Sequence, residues 1–330
     1  MRRYLPGLAL AAAIALASWA VQAAEQALLG VAVIEALVIA ILLGTLVRTA
    51  WTPGPRWQPG VDLAAKQVLE VAIVLLGSAV DLPALLRGGP ALAGAVVAGV
   101  AVGIPATFAI GRAFGLGPRL AVLVACGNGI CGNSAIAAVA PVIGAEREEV
   151  ASSIALTAVL GVVVVLTLPL LVPLLGLSFY QYGVLAGMTV YAVPQVLAAT
   201  FPVSALSGEV GTLVKLMRVL LLGPTVLFFA LRSGRRDGAK LSAGRVLPWF
   251  IVGFVALAAL RSLGLLPLAV AEPAREVSRW LTVVAMAALG LGVDVRALGR
   301  VGRPVALAVS ASLVVLVALA LLLIRGLGIG

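Results

Sequence analysis

Histidine is absent from this chain of 330 residues, and only 11% of its residues are charged. Without histidine there is no imidazole general base, no His-ligated haem and no ordinary zinc site, which disfavours most enzyme classes. In soluble proteins about half of the residues are apolar and about a quarter are charged, whereas 62% of this chain is hydrophobic. The composition therefore predicts an integral membrane protein that is not an enzyme.

Cysteine and nucleotide-binding motifs are equally scarce. The only two cysteines, Cys126 and Cys131, do not have the spacing of a zinc site or a disulfide framework, and we expect them to be buried as small apolar side chains. No GxxxxGK[ST] motif occurs in the chain, so direct drive by ATP would need another subunit. No cofactor is predicted, apart from a coupling sodium ion or proton.

Long apolar runs predict an all-α polytopic membrane protein with about eleven transmembrane helices, since a span takes about 17–25 residues. The runs lie near 5–22, 28–47, 65–82, 90–112, 119–144, 149–175, 182–201, 209–231, 246–264, 279–295 and 304–325. One integral membrane domain should occupy residues 1–330. Residues 1–24 form either the first helix or a signal-like segment, because Arg2 and Arg3 precede an apolar core.

The basic residues favour one orientation in the membrane. With the N-terminus inside, 15 of the 23 lysines and arginines fall in inner segments and six in outer segments, in agreement with the positive-inside rule. We therefore predict a multi-pass protein of the bacterial plasma membrane with a cytoplasmic N-terminus. The net charge of +10 then reflects topology and not nucleic-acid binding, and the lipid bilayer is the expected partner.

The fifth predicted helix contains a polar break, CGNGICGNSAIAA at residues 126–138. Glycine lowers helix stability by about 1 kcal/mol relative to alanine, and asparagine competes with the helical ladder, so we expect an unwound helix. Half-helix ends at mid-membrane commonly bind substrate or ions, although close packing of small residues is an alternative. The candidate binding residues are Gly127, Asn128, Gly132, Asn133 and Ser134. Amides near Gly132 would attract an anion, whereas Asn128 and Asn133 are candidate sodium ligands.

Three more polar side chains lie within later spans. Lys215 and Arg218 are three residues apart, so both project from one face of the eighth helix, and a charge at a helix centre costs about 2.5–3.5 kcal/mol. They would either bind an anion, pair with Glu35 or Glu70, or snorkel. Gln195 is a further candidate binding residue, and it follows a proline in the seventh helix, where a second break or a simple kink is expected.

Two segments indicate inverted repeats. Residues 76–89 and 289–302 are identical at eight of fourteen positions and end helices of opposite direction, as in inverted-repeat transporters. We predict two repeats of five helices, residues 28–175 and 182–326, with broken helices that cross. The glycines of the tenth helix, Gly290 and Gly292, are a second candidate for the other crossing.

Several motifs together resemble the YeiH-type family of proposed sulfate exporters. They are CGNGICGNSAIAA at 126–138, TVYAVPQVLAA at 189–199, VGTLVKLMRVLLL at 210–222 and MAALGLGVDVRAL at 286–298. The resemblance covers essentially the whole chain and implies a relationship to bile-acid/sodium symporters, with a panel and a moving core. The family motif has a histidine ahead of the glutamine, where this chain has Tyr191 and Gln195, so the resemblance does not extend proton coupling to that position.

These observations predict a secondary active, ion-coupled transporter of a small anion such as sulfate or an organosulfur anion. A passive anion channel would use the same polar residues, and an intramembrane hydrolase would use Ser134 with Lys215 as its base. The expected partners are the bilayer and the anion, and a homo-oligomer is also compatible with the sequence.

Overall fold

The computed structural model of the chain describes residues 3–29, 36–51, 53–79, 89–232, 249–294, 296 and 303–330. The described residues form α-helices joined by short turns and contain no strand. In chain order the helices are α1 (Leu5–Leu29), α2 (Ala36–Ala50), α3 (Gln58–Leu63), α4 (Leu69–Leu76), α5 (Gly89–Ala113), α6 (Pro118–Cys126), α7 (Asn133–Ile143), α8 (Arg147–Thr167), α9 (Leu171–Leu175), α10 (Phe179–Thr189), α11 (Val193–Thr200), α12 (Ala205–Leu220), α13 (Leu222–Arg232), α14 (Trp249–Ser262), α15 (Leu268–Leu291) and α16 (Arg303–Gly326). The protein is an all-α polytopic membrane protein, as the sequence predicts.

Among the described residues, five helical segments are long and apolar enough to cross a bilayer. They are Leu5–Ala27, Gly89–Ala113, Glu148–Leu175, Ala205–Arg232 and Arg303–Gly326. Each of the other predicted spans coincides with shorter helical pieces or with α15. Two boundaries were wrong: helical structure begins at Gln58 and not near 65, and α15 begins at Leu268 and not near 279. In both places the helix extends into a segment with proline and charged side chains, which an apolar window leaves out.

The chain divides into two compact units. The first contains residues 1–85 and 248–296, and the second contains residues 86–247 and 297–330. In the first unit, α2 and α15 pack at Gly44 and Gly290, where a Cβ on either glycine would lie 2.4 Å or less from a carbonyl oxygen of the other helix. Ser278 Oγ also donates to the Ala72 carbonyl at 2.7 Å and joins α15 to α4. Glycine is required at this approach, and α15 continues as a helix to Leu291, so it is not the second broken helix.

In the second unit, α10 packs closely against α12. A Cβ on Gly187 would lie 2.7 Å from the Gly211 carbonyl oxygen, so the two backbones approach without side chains between them. Helices α5 and α16 pack against each other and against the α6 to α7 segment. This unit contains all of the candidate binding residues. Most of the repeated segment at 80–88 and 297–302 lies outside the described residues, so the repeat boundaries stay a prediction.

Candidate functional site at two interrupted helices

The first interruption separates α6 from α7. Residues Gly127–Cys131 form one π-helical turn, in which the Gly132 amide donates to the Gly127 carbonyl at 2.9 Å. Gly132 then has φ +64° and ψ −123°, a conformation that non-glycine residues essentially do not adopt. The glycines of the motif therefore produce the predicted break, and α7 begins afresh at Asn133.

The second interruption separates α10 from α11. Val190 and Ala192 are extended, with ψ of 146° and 150°, and Pro194 lies in the first turn of α11. Proline is favoured there because the first amides of a helix have no intrahelical partner. Pro194 thus marks the start of a half-helix and not a kink within one helix, which confirms a second break.

The two interruptions meet in the second unit. A Cβ built on Gly132 would lie 3.3 Å from the Cβ of Tyr191. We call residues 127–134 and 190–192 together the junction. A larger residue at Gly132 would press on Tyr191, so the glycine serves both the backbone conformation and the contact.

Lys215 joins the two halves of the junction from α12. Its side chain is fully buried, and its Nζ donates to the Ile130 carbonyl at 2.5 Å and to the Val190 carbonyl at 2.6 Å. One of these carbonyls belongs to each interrupted helix. The ammonium therefore binds backbone oxygens that the two breaks release from the helical ladder.

Arg218 binds the same two helices one turn further along α12. Its Nε and Nη2 donate to the carbonyls of Gly129 and Asn128 at 3.2 and 2.7 Å, and Nη1 donates to the Gly187 carbonyl at 3.0 Å. In the described part of the chain, all five hydrogen bonds of the two cations end on backbone carbonyls. Of the two acidic candidates, Glu70 belongs to the first unit, where it accepts from Trp249 Nε1 at 2.8 Å, and Glu35 lies outside the described residues, so pairing with a carboxylate stays a prediction.

The asparagines of the motif have different surroundings. Asn128 is fully buried and donates through Nδ2 to Ser312 Oγ at 2.7 Å, while its Oδ1 is buried without a partner among the described residues. Asn133 is exposed at the start of α7, where its Oδ1 accepts from Thr157 Oγ1 at 2.8 Å. Ser134, next to Asn133, is exposed as well. The first turn of α7 is therefore the accessible part of the junction.

Gln195 is buried at the start of α11. Its Oε1 accepts from the Ala192 amide at 3.2 Å, and its amide group lies against α8, where a Cβ on Gly161 would come within 2.0 Å of Nε2. Gln195 therefore caps α11 and joins it to α8. Cys126 and Cys131 are buried and free, as the sequence predicts.

Sequence reasoning missed the residues that support the junction from neighbouring helices. Thr157 of α8 and Ser312 of α16 each hydrogen-bond one of the asparagines. Their only signal in the sequence is polarity within an apolar span. That signal is weak because such hydroxyls commonly bond their own helix, as Thr157 also does with the Ser153 carbonyl at 3.1 Å.

The fold and the junction define a polytopic membrane protein in which two interrupted helices are joined by buried cations. The chain belongs to the family described as Conserved hypothetical protein 698, whose model matches residues 6–308. This match confirms the family that the motifs predict.

Relatives with similar sequences are named as membrane proteins. The chain is 55% identical over 330 residues to UPF0324 membrane protein BMEI1914 of Brucella melitensis. The aligned residues cover 100% of this chain and 92% of the relative. It is 52% identical over 325 residues to UPF0324 membrane protein blr3189 of Bradyrhizobium diazoefficiens, covering 97% and 92%. It is 38% identical over 274 residues to UPF0324 membrane protein TauZ of Paracoccus denitrificans, covering 81% of each chain.

Proposed function

We propose that this protein is a secondary active transporter of a small anion, such as sulfate or an organosulfur anion. The observation that carries the proposal is that the carbonyl and amide groups at the junction have different surroundings. Carbonyls of the π-helical turn after α6 and of the C-terminal end of α10 bind Lys215 and Arg218. The amide end of α7, in contrast, bears two exposed polar side chains, Asn133 and Ser134.

An anion is favoured by the electrostatics of this arrangement. The N-terminus of a helix carries partial positive charge, and the two buried cations of α12 add their charge nearby in the same unit. Since five of their N–H donors are engaged by carbonyls, we assign Lys215 and Arg218 a field effect. We assign the direct contacts with the anion to Asn133, Ser134 and the amides of α7. Charge placed in advance in a site of low dielectric attracts the opposite charge with little reorganisation.

Two interrupted helices also favour transport over a static binding role. Irregular backbone at membrane depth is tolerated where it is buried in protein or lines a cavity, and such breaks recur at substrate sites of secondary transporters. A hydrolase using Ser134 gains no support, because the Lys215 ammonium donates to the Ile130 and Val190 carbonyls instead of serving as a base.

Further parts of the proposal rest on the sequence. We place the protein in a bacterial plasma membrane with its N-terminus in the cytoplasm, as the basic loops favour. Transport would be coupled to the movement of another ion.

The test is accumulation of labelled sulfate in proteoliposomes that contain the purified protein. A secondary active transporter concentrates sulfate above its external level when a gradient of the coupling ion is imposed. Flux that only dissipates the sulfate gradient would indicate a channel. Because the substrate is a proposal too, a thermal-shift screen against sulfate, organosulfonates and chloride should come first: a bound anion stabilises the folded state in proportion to its concentration over Kd.

A further inference from the structure

The Lys215 ammonium has surroundings that resemble those of a bound metal cation. It lies 2.5 and 2.6 Å from the carbonyl oxygens of Ile130 and Val190, and these oxygens lie at the interruptions of two different helices, in the π-helical turn after α6 and just after α10. In transporters with discontinuous helices, unwound carbonyls and half-helix C-termini are the groups that coordinate sodium. Here a side chain of the protein itself occupies that position.

The neighbouring guanidinium strengthens this observation. Arg218 takes three more carbonyls of the same two helices, those of Asn128, Gly129 and Gly187. A sodium ion at the junction would therefore compete for oxygens that already accept strong hydrogen bonds. It would also be repelled by two fixed positive charges in a region of low dielectric.

We propose that Lys215 is a tethered cation that takes the place of a coupling sodium ion at the junction, so that transport by this protein does not require sodium. The statement about transport rests on the proposed function. The statement about the cation does not, because it predicts the stability of the purified protein. It makes Lys215 the residue that determines cation specificity and removes Asn128 as a sodium ligand.

The first measurement is the melting temperature of the wild-type protein in detergent, in sodium chloride and in choline chloride at equal ionic strength. We expect the two values to agree within about one degree, since the carbonyls are already occupied and about one degree corresponds to a few tenths of a kcal/mol at most. A saturable, sodium-specific rise would overturn the proposal, and this arm requires no variant to fold.

The second measurement uses Lys215→Ala, which removes the ammonium and leaves space beside the carbonyls of Ile130 and Val190. Its melting temperature in choline chloride should fall by several degrees and rise again, saturably, with sodium or with n-propylammonium. The matched control is Lys215→Met, which fills the same space without a hydrogen-bond donor. Its melting temperature should fall and should not recover when either cation is added. A folded Lys215→Ala protein that responds to neither cation would contradict the proposal.

A transport arm separates this proposal from the proposed function. Wild-type sulfate flux should be the same in sodium and choline media, within about twofold. Flux that requires sodium would overturn the tethered-cation proposal and leave the transporter assignment standing. Absence of sulfate flux in every medium would contradict the sulfate assignment, while the melting temperatures would still decide the role of Lys215.

Discussion

Lys215 and Arg218 lie three residues apart on α12, and each donates hydrogen bonds to carbonyls of both interrupted helices. Lys215 binds the carbonyls of Ile130 and Val190, and Arg218 reaches Gly187 on one helix and the π-helical turn on the other. The two cations therefore hold the junction together from a third helix. We therefore expect both side chains to stabilise the fold, whatever they contribute to transport.

Replacement of Arg218 should destabilise the protein. Arg218→Ala leaves three buried carbonyls without a donor, and each unsatisfied buried group costs about 1–3 kcal/mol. Arg218→Lys should recover only part of the lost stability, because a compact ammonium cannot donate to all three of these carbonyls. The matched control is Arg232→Ala, at an exposed arginine on α13. In detergent, Arg232→Ala should have the highest melting temperature of the three variants and Arg218→Ala the lowest. Equal melting temperatures for these two would contradict a stabilising role for Arg218.

Gly132 should not tolerate a side chain. An alanine at φ +64° and ψ −123° costs about 1–3 kcal/mol in backbone strain, and its Cβ would lie 3.3 Å from the Tyr191 Cβ. Gly132→Ala should therefore lower the melting temperature. The control is Gly117→Ala. Gly117 has φ −55°, and a Cβ there would meet no atom within 4 Å, so this variant should melt close to the wild type. Wild-type stability of Gly132→Ala would show that the interruption does not need glycine.

The hydrogen bond between Asn133 and Thr157 should appear as an energetic coupling. A double-mutant cycle with Asn133→Ala and Thr157→Val is expected to give about 0.6 kcal/mol, the average for interhelical hydrogen bonds in membranes, and at most about 1.7 kcal/mol. A second cycle with Asn133→Ala and Ser153→Ala supplies the control, because the Ser153 hydroxyl donates to the Glu149 carbonyl of its own helix. Additive effects in the first cycle would mean that the two side chains do not interact.

Tyr191→Phe should leave stability unchanged or raise it. The Tyr191 hydroxyl is buried, and it has no hydrogen-bond partner among the described residues. Burying a polar group without a partner costs free energy, so removal of the hydroxyl relieves a cost and leaves the Tyr191 Cβ beside Gly132 unchanged. A clear fall in the melting temperature would reveal a bound water or ion on this hydroxyl.

Much of the fold could be predicted from the sequence because the relevant signals are local. Apolar runs gave the positions of the spans, and the glycine and asparagine content of residues 126–138 was enough to predict an interruption. The conformation of Gly132 follows from a property of that residue alone. The charged first turns of α15 were missed because a helix can extend past the apolar segment that identifies it.

The partners at the junction could not be predicted in the same way. Periodicity places Lys215 and Arg218 on one face of α12, but it does not show that carbonyls of two other helices lie opposite that face. An acidic partner was therefore a reasonable hypothesis, whereas the hydrogen bonds of both side chains end on backbone carbonyls. Thr157 and Ser312 were missed for the same reason, since their role depends on which helices pack together.

The most direct test of the central claim compares sulfate flux through proteoliposomes of three proteins: the wild type, Asn133→Ala and Ser153→Ala. If anions pass the junction at the start of α7, Asn133→Ala should lower flux about tenfold, which corresponds to about 1.4 kcal/mol, while Ser153→Ala stays near the wild type. Both variants must first be shown to be folded by their melting temperatures. Wild-type flux in a folded Asn133→Ala protein would contradict the claim that the junction is the transport site.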